Sequence, residues 1–297
     1  IDRIEAKGRW QAPVLQLSTL QIDALKAHIS GQKMAANTEQ MSGEGQLNAQ
    51  LPGATLDVQA NAAPTKGDGN INLKLASAEQ LLQWLRTLPF AGDALPPALA
   101  AQGSANASLR FSGGYADALR QLHQAGLLAK LPGNLPSKGA QAFTVDALVS
   151  TPALTVRTGP DAADAWQLRD TRASVKGSLS QLQAELRTEA KHGEQTMGGD
   201  LAINASASGA NQWKATVSRL QAAATLPPQQ RNWKAALQQP LELTVRLPGT
   251  TQAPLQVSTG AGQLQVNGPE AGNAKIAWQP LQLSLANGQG MQLQSTG

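Results

Sequence analysis

Ser30-Gly-Gln-Lys33 has the S-x-x-K spacing of penicillin-binding-type serine hydrolases, and Ser104-Ala-Asn106 resembles their second element. That chemistry needs the serine at a helix start, the lysine one turn on, and a K-T-G strand beside them. Neither K-T-G nor K-S-G occurs, and Ser30 follows an alternating run instead of opening a helix. The histidines His28, His123 and His192 lie far apart in the chain and form no H-x-x-x-H or His/carboxylate cluster, so the usual zinc spacing is missing. Gly67-Asp-Gly69-Asn70 is too short and too poor in acid for a calcium loop, and reads as a hairpin turn. No phosphate-cradling G-x-x-x-x-G-K-[ST] loop and no G-x-S-x-G elbow occurs. The expectation is a protein that is not an enzyme, with no catalytic residues, no metal site and no cofactor.

Composition narrows the partners. Charged residues are only 15% of the chain and hydrophobic ones 41%, which argues against a disordered, charge-rich segment. A net charge of +4, spread without any basic block, does not suit nucleic acid, and one Tyr and three Phe supply no stacking platform for single strands. The absence of cysteine leaves no disulfide framework and suits an oxidising compartment, so a periplasmic setting is expected. No stretch approaches the ~20 apolar residues of a membrane-spanning helix. The chain begins IDRIEAKGRW and ends MQLQSTG, and both ends read as cut from something longer.

The elements that would position any function are strands. Ile71-Asn-Leu73-Lys-Leu75, Leu241-Glu-Leu243-Thr-Val245-Arg-Leu247, Leu255-Gln-Val257, Leu264-Gln-Val266 and Leu281-Gln-Leu283-Ser-Leu285 alternate apolar with polar. Side chains of a strand point alternately to opposite faces, so each run has one oily face and one wet face, the pattern of antiparallel sheet. Leu-Pro-Gly at 51–53, 131–133 and 247–249 and Asn287-Gly288 supply turns. Strand-plus-turn units of this kind predict about 20–25 strands, on the order of 100 Å if stacked side by side.

Two segments break the alternation. SAEQLLQWLRTL (77–88) places Leu81, Trp84, Leu85 and Leu88 at helical spacing, with Ser77 and Gln80 as a capping box. YADALRQLHQAGLLAKL (115–131) predicts a second helix, interrupted by Gly126, with His123 solvated. The Pro/Ala/Gly-rich stretch 89–103 between them predicts a loop. SLSQLQAELRTEA (178–190) allows a helix, but its flanks favour strand. Five of the six tryptophans are followed by Gln or Lys, and they predict recurring strand starts, with the indoles at a rim of the sheet.

A one-sided sheet must cover its oily face. A second sheet would do so, giving a closed β-sandwich scaffold. A guest such as lipid acyl chains would do so if the sheet stays open and curled.

The order of several loose patterns resembles the TamB family, the inner-membrane-anchored subunit of the bacterial translocation and assembly module, within the wider AsmA-like group. The patterns are Ser77-Ala-Glu-Gln-Leu-Leu-Gln-Trp84-Leu-Arg-Thr-Leu-Pro89, Trp166-Gln-Leu-Arg-Asp170 and Gly209-Ala-Asn-Gln-Trp213-Lys-Ala-Thr-Val. Asn232-Trp233-Lys-Ala-Ala-Leu-Gln-Gln-Pro240-Leu, Gly260-Ala-Gly-Gln-Leu264 and Ala274-Lys-Ile-Ala-Trp278-Gln-Pro-Leu follow. The resemblance implies a β-taco, a long curled sheet with a hydrophobic groove. It implies phospholipid transport between inner and outer membranes, or support of outer-membrane protein assembly. It also implies an outer-membrane barrel subunit as partner, engaged through other parts of a parent chain anchored in the inner membrane.

The expected architecture is therefore all-β with minor helices: an elongated, curled, antiparallel-rich sheet. The chain would be one β-rich segment, 1–297, with helical insertions at about 77–89 and 115–131. Leu47, Leu51, Leu56, Val58, Ile71, Leu73, Leu75, Leu154 and Val156 are expected to line the groove. Leu243, Val245, Leu255, Val257, Leu264, Val266, Leu281 and Leu283 continue the lining, which would hold phospholipid acyl chains. Leu81, Trp84, Leu85 and Leu88 would form a helical lid or plug.

Overall fold

The computed structural model describes residues 2–88, 94–124, 127–133, 135–136, 140–159, 161, 165–178, 180–209, 211–227, 231–248, 255–270, 272–286 and 290–295. Strands account for 70% of the structure, in one large antiparallel sheet that is not closed, as the alternation predicts. Among the described residues the strands number nineteen, fewer than expected, because several reach 14 or 15 residues. No helix among the described residues is long and apolar enough to cross a membrane. The chain falls into two compact units, Ile1–Asp117 with Pro136–Arg172 and Ala190–Gly193, and Ala118–Leu135 with Ala173–Glu189 and Glu194–Gly297. Strands β9 (Ala165–Ser178) and β10 (Gln181–His192) contribute residues to both, and the latter confirms the strand reading of 178–190.

In the first unit β1 (Arg3–Gln11), β2 (Val14–Ala24), β3 (Ala27–Asn37), β4 (Ser42–Leu51), β5 (Ala54–Ala62), β6 (Gly67–Leu75), β7 (Ala100–Ser112) and β8 (Thr144–Arg157) pair each with the next. The loop before β7 thus ends at Leu99, earlier than residue 103. Gly67-Asp-Gly69-Asn70 is not the turn expected: it opens β6, and the chain reverses just before it, where Ala63 N–H donates to Lys66 O at 3.0 Å. Gly69 is needed for packing instead. A Cβ there would stand 2.5 Å from Cζ of Phe111 on the next strand. Asn287-Gly288 lies outside the described residues.

Helix α1 (Ala78–Arg86) starts as predicted, with Ser77 Oγ accepting from Gln80 N–H at 3.2 Å. It lies against the β2–β3 and β4–β5 turns. Trp84 Nε1 donates to Leu25 O at 2.9 Å, and Ala76 and Ser77 N–H both donate to Gly53 O. Helix α2 (Tyr115–Gln124) begins beside other turns. Tyr115 Oη donates to Met41 O at 2.6 Å, Ala116 is fully buried, and Asp117 accepts from Phe143 N–H at 2.8 Å. It ends sooner than residue 131 because Leu127 and Leu128 N–H both turn back to Leu122 O. His123 is exposed, as expected, and its Nδ1 lies 2.9 Å from Leu128 O.

The second unit contains β11 (Gln195–Gly209), β12 (Gln212–Leu226), β13 (Arg231–Leu237), β14 (Leu241–Arg246), β15 (Leu255–Thr259), β16 (Gly262–Gly268), β17 (Gly272–Trp278), β18 (Leu281–Ala286) and β19 (Gly290–Ser295). Several of these are halves of longer strands. β13 and β14 lie end to end along β12, β16 and β15 along them, and β17 and β18 follow in turn. The interruptions Gln238–Pro240, Gly260–Ala261 and Gln279–Pro280 fall in one transverse line. That line continues to Ser218, the extra residue where the β11–β12 register shifts between Ala202 and Ile203.

Candidate functional site: an uncovered apolar face

Cross-strand partners lie on the same face, so the registers assemble faces directly. In the first unit Ile4, Ile22, Ile29, Ala49, Leu56, Leu73, Ala107 and Val149 form one row across eight strands. Leu20, Leu47, Val58, Ile71 and Leu109 form the next, and Leu51, Ala54, Leu75 and Ala105 a third. The expected lining residues of β4, β5 and β6 therefore share one face. Leu154 and Val156 join it only because β8 carries an extra residue at Thr151-Pro152 opposite Ala105, which resets the alternation after Val149. Thr151 is 5% exposed, and its hydroxyl is satisfied by donating to Ser104 O at 2.6 Å.

In the second unit Leu243 and Leu281 flank Thr259, while Val245, Val257 and Leu283 form the next row and Leu255 faces Leu285. Leu264 lies between Leu237 and Ile276, and Val266 between Ala235 and Ala274. Leu220 and Val217 both face the apolar side because the Ser218 bulge absorbs one residue: Leu201 pairs with Leu220 and Ile203 with Val217. The whole expected lining is thus on the apolar face of its own unit. Missed from it were Ile4, Leu20, Ile22, Ile29, Leu109 and Val149 in the first unit, and Leu201, Ile203, Val217, Leu220, Leu237, Ile276 and Leu285 in the second. Leu109 was legible in the alternation of Ala105-Asn-Ala107-Ser-Leu109-Arg-Phe111, which alanines disguise.

The opposite face is polar. Ser30, Asn48, Asp57 and Asn72 form one row, and Gln32, Gln46, Gln59 and Asn70 the next. Ser30 is therefore a strand residue on the polar face, and Lys33 sits at a bulge with φ 50°, so the S-x-x-K spacing makes no helical dyad. Among the described residues no group of three His, Cys, Asp or Glu could hold a metal ion. The ion pairs Arg3–Glu5 (2.6 Å) and Arg219–Asp200 (2.7 Å) are exposed, where solvent and salt screen them. The Glu5 hydrogen bond and charge hold the Arg3 guanidinium above its ordinary pKa.

Within each unit, no second layer of described residues seals the apolar face. Among the described residues the buried hydrophobic ones are six alanines and Val217, and no large side chain is fully buried. Leu73 is 40% exposed, Val149 50% and Ile276 52%. A closed sandwich would seal Leu, Ile and Val between its layers. This sheet leaves them half-covered.

The tryptophans depart in part from the strand-start expectation. Trp166, Trp213 and Trp233 do stand at strand starts, but Trp10 and Trp278 stand near strand ends. Trp278 pairs across with Gly262 and packs on it, Trp233 packs on Gly268 just past the β13–β16 pairing, and Trp166 stacks on His192 with ring centroids 4.5 Å apart. Of the helical set, Leu81, Trp84, Leu85 and Leu88 are half-buried, and Trp84 is tied to the β2–β3 turn.

No family model, curated protein or solved structure matches the chain. The apolar face has to be read from its own residues.

Proposed function

We propose that this chain is a non-enzymatic, lipid-carrying segment of a TamB-like periplasmic protein. Its apolar face would hold phospholipid acyl chains moving between the inner and outer membranes, in support of outer-membrane biogenesis. The observation that carries this reading is the uncovered face itself: continuous rows of Leu, Val and Ile that no second layer of described residues seals within each unit. Apolar burial stabilises by about 25 cal/mol per Å² and has no preferred direction. An acyl chain can therefore slide from the Leu56–Leu73 row to the Leu47–Val58–Ile71 row without breaking a hydrogen bond. The parent chain would be anchored in the inner membrane and would meet the outer-membrane barrel subunit through other parts.

Native mass spectrometry of gently extracted protein tests this. Wild-type protein should carry phospholipid, and Leu73→Asp, on a 40%-exposed position, should lose it with an unchanged circular dichroism spectrum. Lipid-free wild-type protein, or full retention in Leu73→Asp, overturns the reading.

A second reading rests on β1. All nine of its residues are exposed, with Ile4 at 58% and Trp10 at 63%. Exposed apolar side chains of this kind suit contact with another protein, as an outer-membrane protein assembly module without lipid conduction would make. Lipid-free protein that binds an unfolded β-barrel peptide would favour it.

A further inference from the structure

We propose that the cleft between α1 and the hairpin turns of the first unit is a headgroup site for a net-anionic phospholipid. This rests on the lipid-carrying reading and adds where a lipid's polar end is held. The cleft measures about 480 Å³ and is lined by Leu25, Lys26, Pro52, Gln80, Gln83, Trp84 and Thr87. Its walls divide by chemistry. Trp84, Leu25 and Pro52 offer apolar surface, Gln80 and Gln83 offer amides, and Lys26 is the one charge among the lining residues. Among the described residues no carboxylate lines it. Glu79, on the same helix, accepts from Gln83 Nε2 at 3.4 Å, and Asp23 is engaged by His28 Nδ1 at 2.5 Å.

The turn that supplies Leu25 and Lys26 is the second observation. Both residues are left-handed, with φ of 49° and 67°. A two-residue hairpin with both φ positive is the turn that Asn-Gly makes without steric penalty, whereas Leu and Lys each carry one. Strain held at a turn is explained when the side chains there are used. Here the Leu25 carbonyl is fixed by the Trp84 indole at 2.9 Å, which sets the wall of the cleft. The Lys26 side chain is exposed at its mouth. A phosphate ester at Lys26, amide hydrogen bonds from Gln80 and Gln83, and the glycerol and first methylenes against Trp84 fit this division. A zwitterionic headgroup would bring its own cation towards Lys26, so the site discriminates on net charge.

The test uses monomeric short-chain lipids and follows the indole N–H resonance of Trp84 by NMR, assigned with Trp84→Phe. Dihexanoyl phosphatidylglycerol should shift it at about fivefold lower concentration than dihexanoyl phosphatidylcholine, the selectivity of one partly exposed charge. Lys26→Gln should erase the difference. Leu25→Asn with Lys26→Gly should abolish binding yet melt no lower than the parent, since its turn is less strained. Equal affinities in the wild type, or selectivity that survives Lys26→Gln, overturn the proposal. Inorganic phosphate matching phosphatidylglycerol also overturns it, by showing a free-anion site. Leu73→Asp separates the two readings. It should lose long-chain lipid and keep this titration. Carried long-chain lipid without Lys26-dependent selectivity sinks the headgroup site alone. Selectivity in a protein that carries no long-chain lipid sinks the transport reading alone.

Discussion

The Trp233 indole lies over Gly268 of the neighbouring strand, and a Cβ on that glycine would stand 2.5 Å from Cζ3 of the ring. Trp278 and Gly262 repeat the arrangement, with Cε2 at 2.5 Å from the same imagined atom. A glycine leaves bare backbone in a strand, and a cross-strand aromatic ring covers it. The tryptophan phrases therefore serve packing on the apolar face itself.

Gly268→Ala should destabilise the protein by about 1–3 kcal/mol, because a methyl forces the indole off its seat. Urea unfolding measures it. The same substitution in a Trp233→Leu background should cost less, and the shortfall is the coupling between the pair. Additive costs would show that the ring does not depend on the glycine.

Gly53 couples the β4–β5 turn to α1. Its φ is 80°, and a Cβ would stand 2.9 Å from both Leu81 N and Gln80 Cβ, with Ser77 O closer still. Gly53→Ala should cost about 1–2 kcal/mol for the left-handed backbone alone, and more for the clash with the helix start. Ser77→Ala, which removes only the cap, should cost about 0.5–2 kcal/mol. Chemical denaturation ranks the two, and a milder Gly53→Ala would mean that the helix is not seated on this turn.

Much of this was legible in the sequence, because alternation is a local property. Leu56, Val58, Ile71 and Leu73 share a face by their own spacing. The Ser77 cap was legible for the same reason. What was not legible depends on pairing. Gly67-Asp-Gly69-Asn70 looks like a turn by composition, yet the ring of Phe111, some forty residues on, makes Gly69 a strand residue. Trp10 and Trp278 share a phrase with Trp213, but a phrase does not say which end of a strand it occupies. The joining of β13 with β14 is set by β12, which no local pattern reports.

Tyr115 is the single tyrosine of the chain, so its ionisation can be read without interference. Burial raises its pKa above the ordinary 10.0, and its hydroxyl donates to Met41 O at 2.6 Å. A raised folded-state value favours the protonated form in the native protein. The stabilisation is whole below about pH 10 and is lost as pH climbs through the folded value. Phenolate absorbance of native protein should therefore titrate above pH 10 and fall back to about 10 in urea. Tyr115→Phe should remove this part of the alkaline loss of stability. A native titration at or below 10 would place the ring in water.

The transverse line through Ser218, Gln238–Pro240, Gly260–Ala261 and Gln279–Pro280 makes a sharper prediction, because phase is corrected along it at Ser218, Gly260–Ala261 and Gln279–Pro280, while Leu237 and Leu241 keep step across Gln238–Pro240. Leu255 and Val257 in β15 and Leu264 and Val266 in β16 share the apolar face although their spacing across Gly260–Ala261 is odd. Strand side chains have a period of two, so one added residue between these halves rotates β16 by a face and two restore it. Inserting a single Ala after Ala261 should turn Leu264 and Val266 to the polar side. For half-buried side chains that costs about 2–3 kcal/mol. Inserting Ala-Ala should cost only the longer link, about 0.5 kcal/mol or less. Urea midpoints of the two insertions should therefore fall out of order with their length, the longer one being the more stable. A monotonic loss with length would show that the line is an ordinary loop row with no control of phase.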